Sequence, residues 1–289
     1  MNLSGTRKRH PLAFVAFATI VTVVCFTVVP SDTLEQTFLQ TALLAVSMLI
    51  LLAITQPAVL SLRYRCAFKE EGKSAYHKRN FLFVAVLLLA NGLFIGVVTV
   101  LRILGEVSNV ESPVLVVPTF APISNIVLFV ALCVATGIFE EGFFRGVLSC
   151  GFTDALRMEG KENFALLGAI VSAFIFGFLH VTSVPLGISL NEVMIMQLIM
   201  KTIQATFFGF IMLAVLFRTG NLWMVATLHA GFNILSMGPA FVVTGMIPST
   251  YITGDPIDLV VLIVSALLLV PPVVYAWRIL VRLAPLREH

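Results

Sequence analysis

Residues 127–150 read VLFVALCVATGIFEEGFFRGVLSC, an apolar run whose only charged residues are Glu140, Glu141 and Arg145. The run matches the length of about 20 residues that an α-helix needs to cross a bilayer. Each charged group at membrane depth costs at least about 2.5–3.5 kcal/mol on insertion scales. Three of them near the middle of one apolar run therefore indicate a functional site rather than chance.

The composition of the whole chain agrees with a membrane location. Of 289 residues, 59% are hydrophobic and 11% are charged, against about 25% charged in a typical soluble domain. The mean hydropathy is +1.02. The excess of 18 Lys+Arg over 15 Asp+Glu is too small to indicate a nucleic-acid partner. The four cysteines lie far apart and form neither a zinc motif nor a disulfide framework: Cys25, Cys66, Cys133 and Cys150.

The apolar residues fall into eight segments, so the sequence predicts an all-α, polytopic membrane protein with about eight transmembrane helices in a single domain over residues 1–289. The segments are too long for barrel strands, and backbone groups in lipid must be satisfied within a helix. The first segment is predicted to be a retained helix rather than a signal peptide. The approximate bounds are 12–29, 39–60, 81–104, 127–150, 167–190, 193–217, 221–246 and 257–281.

The distribution of basic residues predicts the orientation. Lys and Arg concentrate in the N-terminal tail, the connection 63–79 and every second connection after it, and at the C-terminus. Because Lys and Arg are enriched in cytoplasmic loops, both termini are predicted to be cytoplasmic. Arg102 and Lys201 are the exceptions that fall toward the outside. The expected location is the cell membrane, with the lipid bilayer as a partner.

The charges of the fourth segment divide into a pair and a single carboxylate. Glu141 and Arg145 are four residues apart and can pair on one helix face. Glu140 points about a third of a turn away and is left as a candidate general base. The alternative is that the cluster only marks the cytoplasmic end of the helix, with its carboxylates reaching the headgroups.

Two histidines in other apolar segments extend this candidate site. His180 shares a helix face with Phe176, and His229 shares one with Asn233. A lone histidine in an apolar helix is more often a packed core residue, but an imidazole and an amide can also orient water and stabilise an oxyanion. By helix length, His180 reaches the depth of Glu140 only if the fifth helix runs toward Leu190. A fifth helix that ends near Ser183 would strain a shared site.

These residues occur as three motifs in a fixed order, and together they resemble the motifs of the CPBP family. That family includes type II CAAX prenyl endopeptidases and bacteriocin-processing or self-immunity proteins, and its members are eight-helix intramembrane proteases. The resemblance covers roughly residues 125–235, which would be the motif-bearing core. The motifs are Glu140-Glu141-x-x-x-Arg145, Phe176-x-x-x-His180 and His229-x-x-x-Asn233.

The resemblance implies an intramembrane endopeptidase. By it, Glu140 and His180 activate a water that attacks a peptide carbonyl. His229 and Asn233 would then form the oxyanion hole. The substrate would be a membrane-associated peptide or a prenylated protein, with CAAX-type C-terminal processing as one option.

Glu141 and Arg145 are implied to support this constellation rather than to react. A catalytic zinc held by Glu140, His180 and His229 is the alternative, since three such ligands suffice for zinc. We favour a glutamate-dependent mechanism without a metal, because the nearby Arg145 disfavours a cation.

Two functions from other classes remain open at this stage. One is a non-catalytic immunity or peptide-binding protein of the same fold. The other is a proton-coupled transporter, for which Glu140, Glu141 and the histidines would form a relay. Lys201 suits such a relay, or else its side chain reaches toward the outer face. Reconstituted proteolysis separates the first function from both alternatives.

Overall fold

The computed structural model describes residues 9–28, 31–60, 75–105, 120–182, 190–247 and 251–281. In these residues the secondary structure is helical, without strands. Eight helices follow one another along the chain, and a short 3₁₀ turn follows the second at Pro57–Leu60. Their bounds are α1 Pro11–Val28, α2 Leu34–Thr55, α3 Ala75–Ile103, α4 Ile123–Met158, α5 Phe164–Leu179, α6 Glu192–Thr219, α7 Leu222–Thr244 and α8 Pro256–Val281.

The predicted all-α fold with eight apolar segments is confirmed. By length and composition, six of the described helices can cross a membrane: α2, α3, α4, α6, α7 and α8. The helices α1 and α5 are apolar but shorter. The protein is therefore an integral, multi-pass membrane protein. The predicted cytoplasmic placement of both termini falls on residues outside the described ranges.

Six helices close into a ring. Helix α4 packs against α7, α7 against α3, α3 against α8, α8 against α6, and α6 against α5. The ring closes because α5 packs against the C-terminal half of α4. Helices α1 and α2 lie on α4 at its outer side. The ring brings α4, α5, α6 and α7, which carry all of the predicted site residues and Lys201, around one interior.

Two glycines allow the closest approaches in this ring. A Cβ on Gly137 would lie 2.5 Å from the carbonyl oxygen of Ala226, so α4 and α7 touch backbone to backbone. A Cβ on Gly177 would lie 2.5 Å from the carbonyl oxygen of Thr202, where α5 meets α6. Small residues at helix crossings are typical of membrane proteins. They place Glu140 opposite α7 and His180 opposite α6.

The turn between α6 and α7 fixes the position of His229. Gly220 ends α6 with a φ of +61°, a conformation that favours glycine. Asn221 then begins α7, and its side-chain oxygen accepts a hydrogen bond from the backbone N–H of Met224. With only two residues between the helices, His229 must lie two turns into α7.

Helix α5 is shorter than the sequence predicted. It ends at Leu179, with His180 as its C-cap, and does not run on toward Leu190. The expectation that such an early end strains a shared site is wrong, because α5 packs only against the C-terminal half of α4. Glu140 lies at the middle of the long α4, so an α5 that ends at His180 reaches the same level.

Candidate active site

Helix α4 changes its hydrogen-bonding pattern at the site. Residues Ile123–Glu140 are α-helical, Glu141–Ser149 form a π-helix, and Cys150–Met158 return to α-helix. All nine residues of the π segment are buried. The π-helix is rare and occurs frequently at functional sites. Here the change falls between Glu140 and Glu141, so it separates the environments of the two carboxylates.

Glu141 and Arg145 form a fully buried ion pair. Glu141 is 0% exposed and Arg145 1%, and the Nε of Arg145 lies 3.0 Å from Oε2 of Glu141. The guanidinium also stacks over the ring of Phe176, 4.2 Å from its centroid. The pairing agrees with their spacing of four residues, although the segment is a π-helix. Neither side chain lines the cavity described below, which suits a positioning role.

Glu141 also holds the ring of His229. Its Oε1 accepts a hydrogen bond of 2.6 Å from Nδ1 of His229. A carboxylate can only accept, so Nδ1 carries a proton and Nε2 is turned the other way. The Nε2 lies 3.6 Å from Oε2 of Glu140, which is longer than an N–H···O hydrogen bond. The edge of the Phe208 ring packs against the imidazole, with centroids 5.0 Å apart.

The four residues predicted to be catalytic meet on one cavity inside the ring. The cavity has a volume of about 230 Å³ and is lined by Glu140, His180, His229 and Asn233, together with aromatic and polar residues of the same helices. The side chain of Glu140 is 21% exposed, whereas that of Glu141 is 0% exposed. The Oε2 of Glu140 has no hydrogen-bond partner. This oxygen is buried and faces Nε2 of His229, so the exposed part of the Glu140 carboxylate is what can accept a proton from water in the cavity.

The ring of His180 is oriented by its own helix. Its Nδ1 lies 2.8 Å from the backbone oxygen of Phe176, one turn earlier. A carbonyl oxygen only accepts, so Nδ1 is the protonated nitrogen and Nε2 keeps a lone pair. The imidazole stacks obliquely on the Phe176 ring, with centroids 4.3 Å apart. This contact fixes the ring between Phe176 and the cavity.

The cavity has further polar lining residues that the motifs did not reveal. They include Thr136 on α4, Gln204 on α6 and Tyr251, which precedes α8. Burial raises the pKa of the Tyr251 hydroxyl, which keeps it protonated. Lys201 also lines the cavity, and its Nζ donates to Oε1 of Gln204 at 3.2 Å. The prediction that Lys201 reaches toward the outer face is therefore wrong.

A signal for this second polar group was present in the sequence. Lys201 and Gln204 are three residues apart, so they share a face of α6. Phe208, one turn after Gln204, lies on the same face and packs against His229. Polar residues at helical spacing in an apolar helix indicate a face turned toward other polar groups.

The zinc alternative needs Glu140, His180 and His229 as ligands, and all three line the cavity. Within the ranges that the structure describes, no three His, Cys, Asp or Glu side chains are grouped so as to hold a metal ion. Each histidine uses Nδ1 for Phe176 or Glu141 and keeps Nε2 free, which is also the arrangement of a metal-ligating histidine.

The fold and the site define a polytopic helical membrane protein with a buried Glu and His constellation in a ring of helices. Residues 122–235 match the family model Rce1-like, described as type II CAAX prenyl endopeptidase Rce1-like. The match confirms the resemblance to the CPBP family and spans α4 to the first half of α7. It contains all four residues predicted to be catalytic. Neither curated proteins nor solved structures give a match to this chain.

Proposed function

We propose that this protein is an intramembrane endopeptidase that hydrolyses a peptide bond of a membrane-associated protein. The observation that carries the proposal is the meeting of Glu140, His180, His229 and Asn233 on one cavity. The family match to CAAX prenyl endopeptidases supports a prenylated protein as the substrate and C-terminal processing as the reaction. The proposed location is the cell membrane.

In the proposed mechanism a water lies between Glu140 and His180. The carboxylate of Glu140 accepts a proton from this water while the water oxygen attacks the peptide carbonyl. The lone pair on Nε2 of His180 orients the water. The carbonyl oxygen becomes an oxyanion, and the proton held by Glu140 passes to the leaving amine when the C–N bond breaks.

The oxyanion is proposed to bind Asn233 and His229. The side-chain amide of Asn233 supplies one N–H donor. His229 supplies a second from Nε2 when both of its nitrogens are protonated.

The proposed reaction needs no metal. The buried guanidinium of Arg145 lies beside Glu141, the residue that holds His229, and its positive charge disfavours a second cation at the site. The chemistry of the donor set therefore supports water activated by Glu140 rather than by zinc.

The test is cleavage of quenched fluorescent peptides, prenylated and unprenylated, by the detergent-purified protein, each measured with and without a chelator. We expect cleavage by the wild type that the chelator leaves unchanged, and cleavage slower by about 10²–10⁴ in Glu140→Gln. Glu159→Gln is the matched control, because Glu159 is exposed after the end of α4. Loss with the chelator and recovery with zinc would replace the metal-free mechanism by a metalloprotease.

The same preparation tests the two other functions. A protein that binds prenylated peptides but cleaves none supports the non-catalytic, peptide-binding alternative. Proton-coupled uptake into reconstituted vesicles that depends on Glu140 supports the transporter. Either result, with no proteolysis, would contradict the proposal.

A further inference from the structure

The cavity contains a cation that the proposed hydrolysis does not use. Lys201 lines it from α6, and Glu140 lines it from α4. Among the described residues its ammonium donates to the side-chain oxygen of Gln204, and no carboxylate forms an ion pair with it. An ionisable residue at membrane depth is costly and indicates a functional site by default.

A hydrogen-bonded chain fixes the position of this ammonium. Gln204 is 4% exposed and Ser265, on α8, is 0% exposed. The Nε2 of Gln204 donates to the Ser265 hydroxyl oxygen at 2.8 Å, which turns its Oε1 toward Lys201. A lysine ammonium has three N–H donors. One is used on Gln204, so the others are available to a ligand in the cavity.

The ammonium also lies near the proposed water-activating pair. Lys201, Glu140 and His180 line the same cavity. The cavity thus carries a carboxylate on α4, an ammonium on α6 and an imidazole at the end of α5. A peptide whose carbonyl lies beside Glu140 therefore shares its cavity with the ammonium of Lys201.

We propose that Lys201 binds the C-terminal carboxylate of the substrate, so that the enzyme reads a free chain end close to the bond it cuts. This inference rests on the proposed function. An ammonium with donors to spare matches a carboxylate, and the cavity of about 230 Å³ is smaller than the roughly 300–1,000 Å³ of ordinary ligand pockets. Such a volume suits a chain end better than a loop from the middle of a folded protein.

The test compares three peptides. The first has a free C-terminal carboxylate, and the second has the same sequence with a C-terminal amide. The third is the amide with Glu at the last position. For the wild type we expect kcat/KM to be roughly 10- to 100-fold higher for the free carboxylate than for the amide, the size of a charged hydrogen bond. The difference should lie mainly in KM. If the Glu restores kcat/KM of the amide peptide, Lys201 binds an acidic side chain, and the proposal that it binds the C-terminal carboxylate is overturned.

Two variants isolate the contribution of Lys201. In Lys201→Met the preference for the carboxylate should fall to about one, whereas Lys201→Arg should retain part of it, since it keeps the charge. Lys161→Met is the matched control, because Lys161 is exposed in the turn between α4 and α5. If Lys201→Met does not fold, the ratio of kcat/KM between the carboxylate and amide peptides in the wild type still tests the proposal. Equal kcat/KM for carboxylate and amide, or a preference that survives Lys201→Met, overturns the proposal.

A binding measurement separates this inference from the proposed function. Glu140→Gln protein is titrated with the carboxylate and amide peptides, without any need for turnover. Tighter binding of the carboxylate peptide upholds the Lys201 site even if the wild type cleaves nothing. A wild type that cleaves nothing would contradict only the proposed protease activity. Equal binding of both peptides, including no binding of either, overturns the Lys201 site.

Discussion

Two arginine clusters lie on the helices of the ring, and they differ in how completely their charges are paired. In the Arg102 cluster, both Nη atoms of Arg102 bond to carboxylates, one of Asp255 and one of Asp258. Thr253 donates a further hydrogen bond to Asp258. In the Arg145 cluster, which comprises Glu140, Glu141, Arg145 and His229, neither Nη atom of Arg145 has a hydrogen-bond partner.

The difference indicates what each cluster is for. The Arg102 cluster joins the end of α3 to the beginning of α8, and its polar atoms satisfy one another apart from the Nε of Arg102. Buried networks that are fully paired stabilise one arrangement, whereas unpaired buried groups cost free energy. The Arg145 cluster retains an unpaired oxygen of Glu140 beside a cavity. We infer that the first cluster holds helices together and that the second is kept reactive.

The largest expected effect is that of Glu140→Gln. Loss of a general base costs about 10²–10⁴ in rate, so kcat on a cleaved peptide should fall by that factor. The melting temperature should not fall, because the change removes a carboxylate with an unpaired oxygen beside another carboxylate. Peptide cleavage and thermal unfolding in detergent measure the two effects. A variant that melts early and keeps its kcat would reverse the roles of the clusters.

Asp258→Ala should have the opposite profile. Asp258 is 1% exposed and pairs with Arg102, so its removal leaves the Arg102 guanidinium with one carboxylate partner, Asp255, in place of two. Breaking a buried pair costs about 3–5 kcal/mol, and we expect about 3 kcal/mol because Arg102 is partly exposed. The kcat of the folded fraction should stay near that of the wild type. Leu268→Ala, an exposed residue of the same helix, is the control for the change of helix composition.

Asn233→Ala should reduce catalysis by about 10²–10³, the usual cost of one oxyanion-hole donor. The loss should appear in kcat with little change in KM, because the donor is used in the transition state. The hydrogen bond between His229 and Glu141 does not involve Asn233, so stability should change little. A loss confined to KM would mean that Asn233 binds the substrate and does not stabilise the oxyanion.

The helices were predictable because each is an uninterrupted apolar run, and lipid leaves the backbone no alternative to a helix. The residues of the cavity were predictable where a chemical group stood out against apolar neighbours, as Glu140, His180 and His229 do. Their roles in catalysis stay predictions. Arg102 looked like an exception to the charge bias, and the structure shows it paired to Asp255 and Asp258.

Features set by tertiary contacts could not be read from the sequence. Pro185 and Gly187 after His180 allow an end near Ser183 as well as one near Leu190, and neither indicates the end at Leu179. The π segment depends on packing around buried side chains and not on local propensity. Lys201 was ambiguous because its direction is set by Gln204 and, behind it, by Ser265 on another helix.

The smallest expected effect is that of a single methyl group on the side of the ring that carries Arg102. A Cβ on Gly96 would lie 2.1 Å from the backbone oxygen of Leu235, so Gly96→Ala must push α3 away from α7. Such overpacking costs about 1–3 kcal/mol. In the control Gly231→Ala the nearest atom is the end of a flexible Leu89 side chain at 3.1 Å, which can move aside.

Because α3 carries none of the four predicted catalytic residues, Gly96→Ala should lower the melting temperature more than Gly231→Ala and leave kcat close to the wild type. A large loss of kcat would show that the position of α3 controls the site as well as stability, and the division between the two clusters would then be wrong.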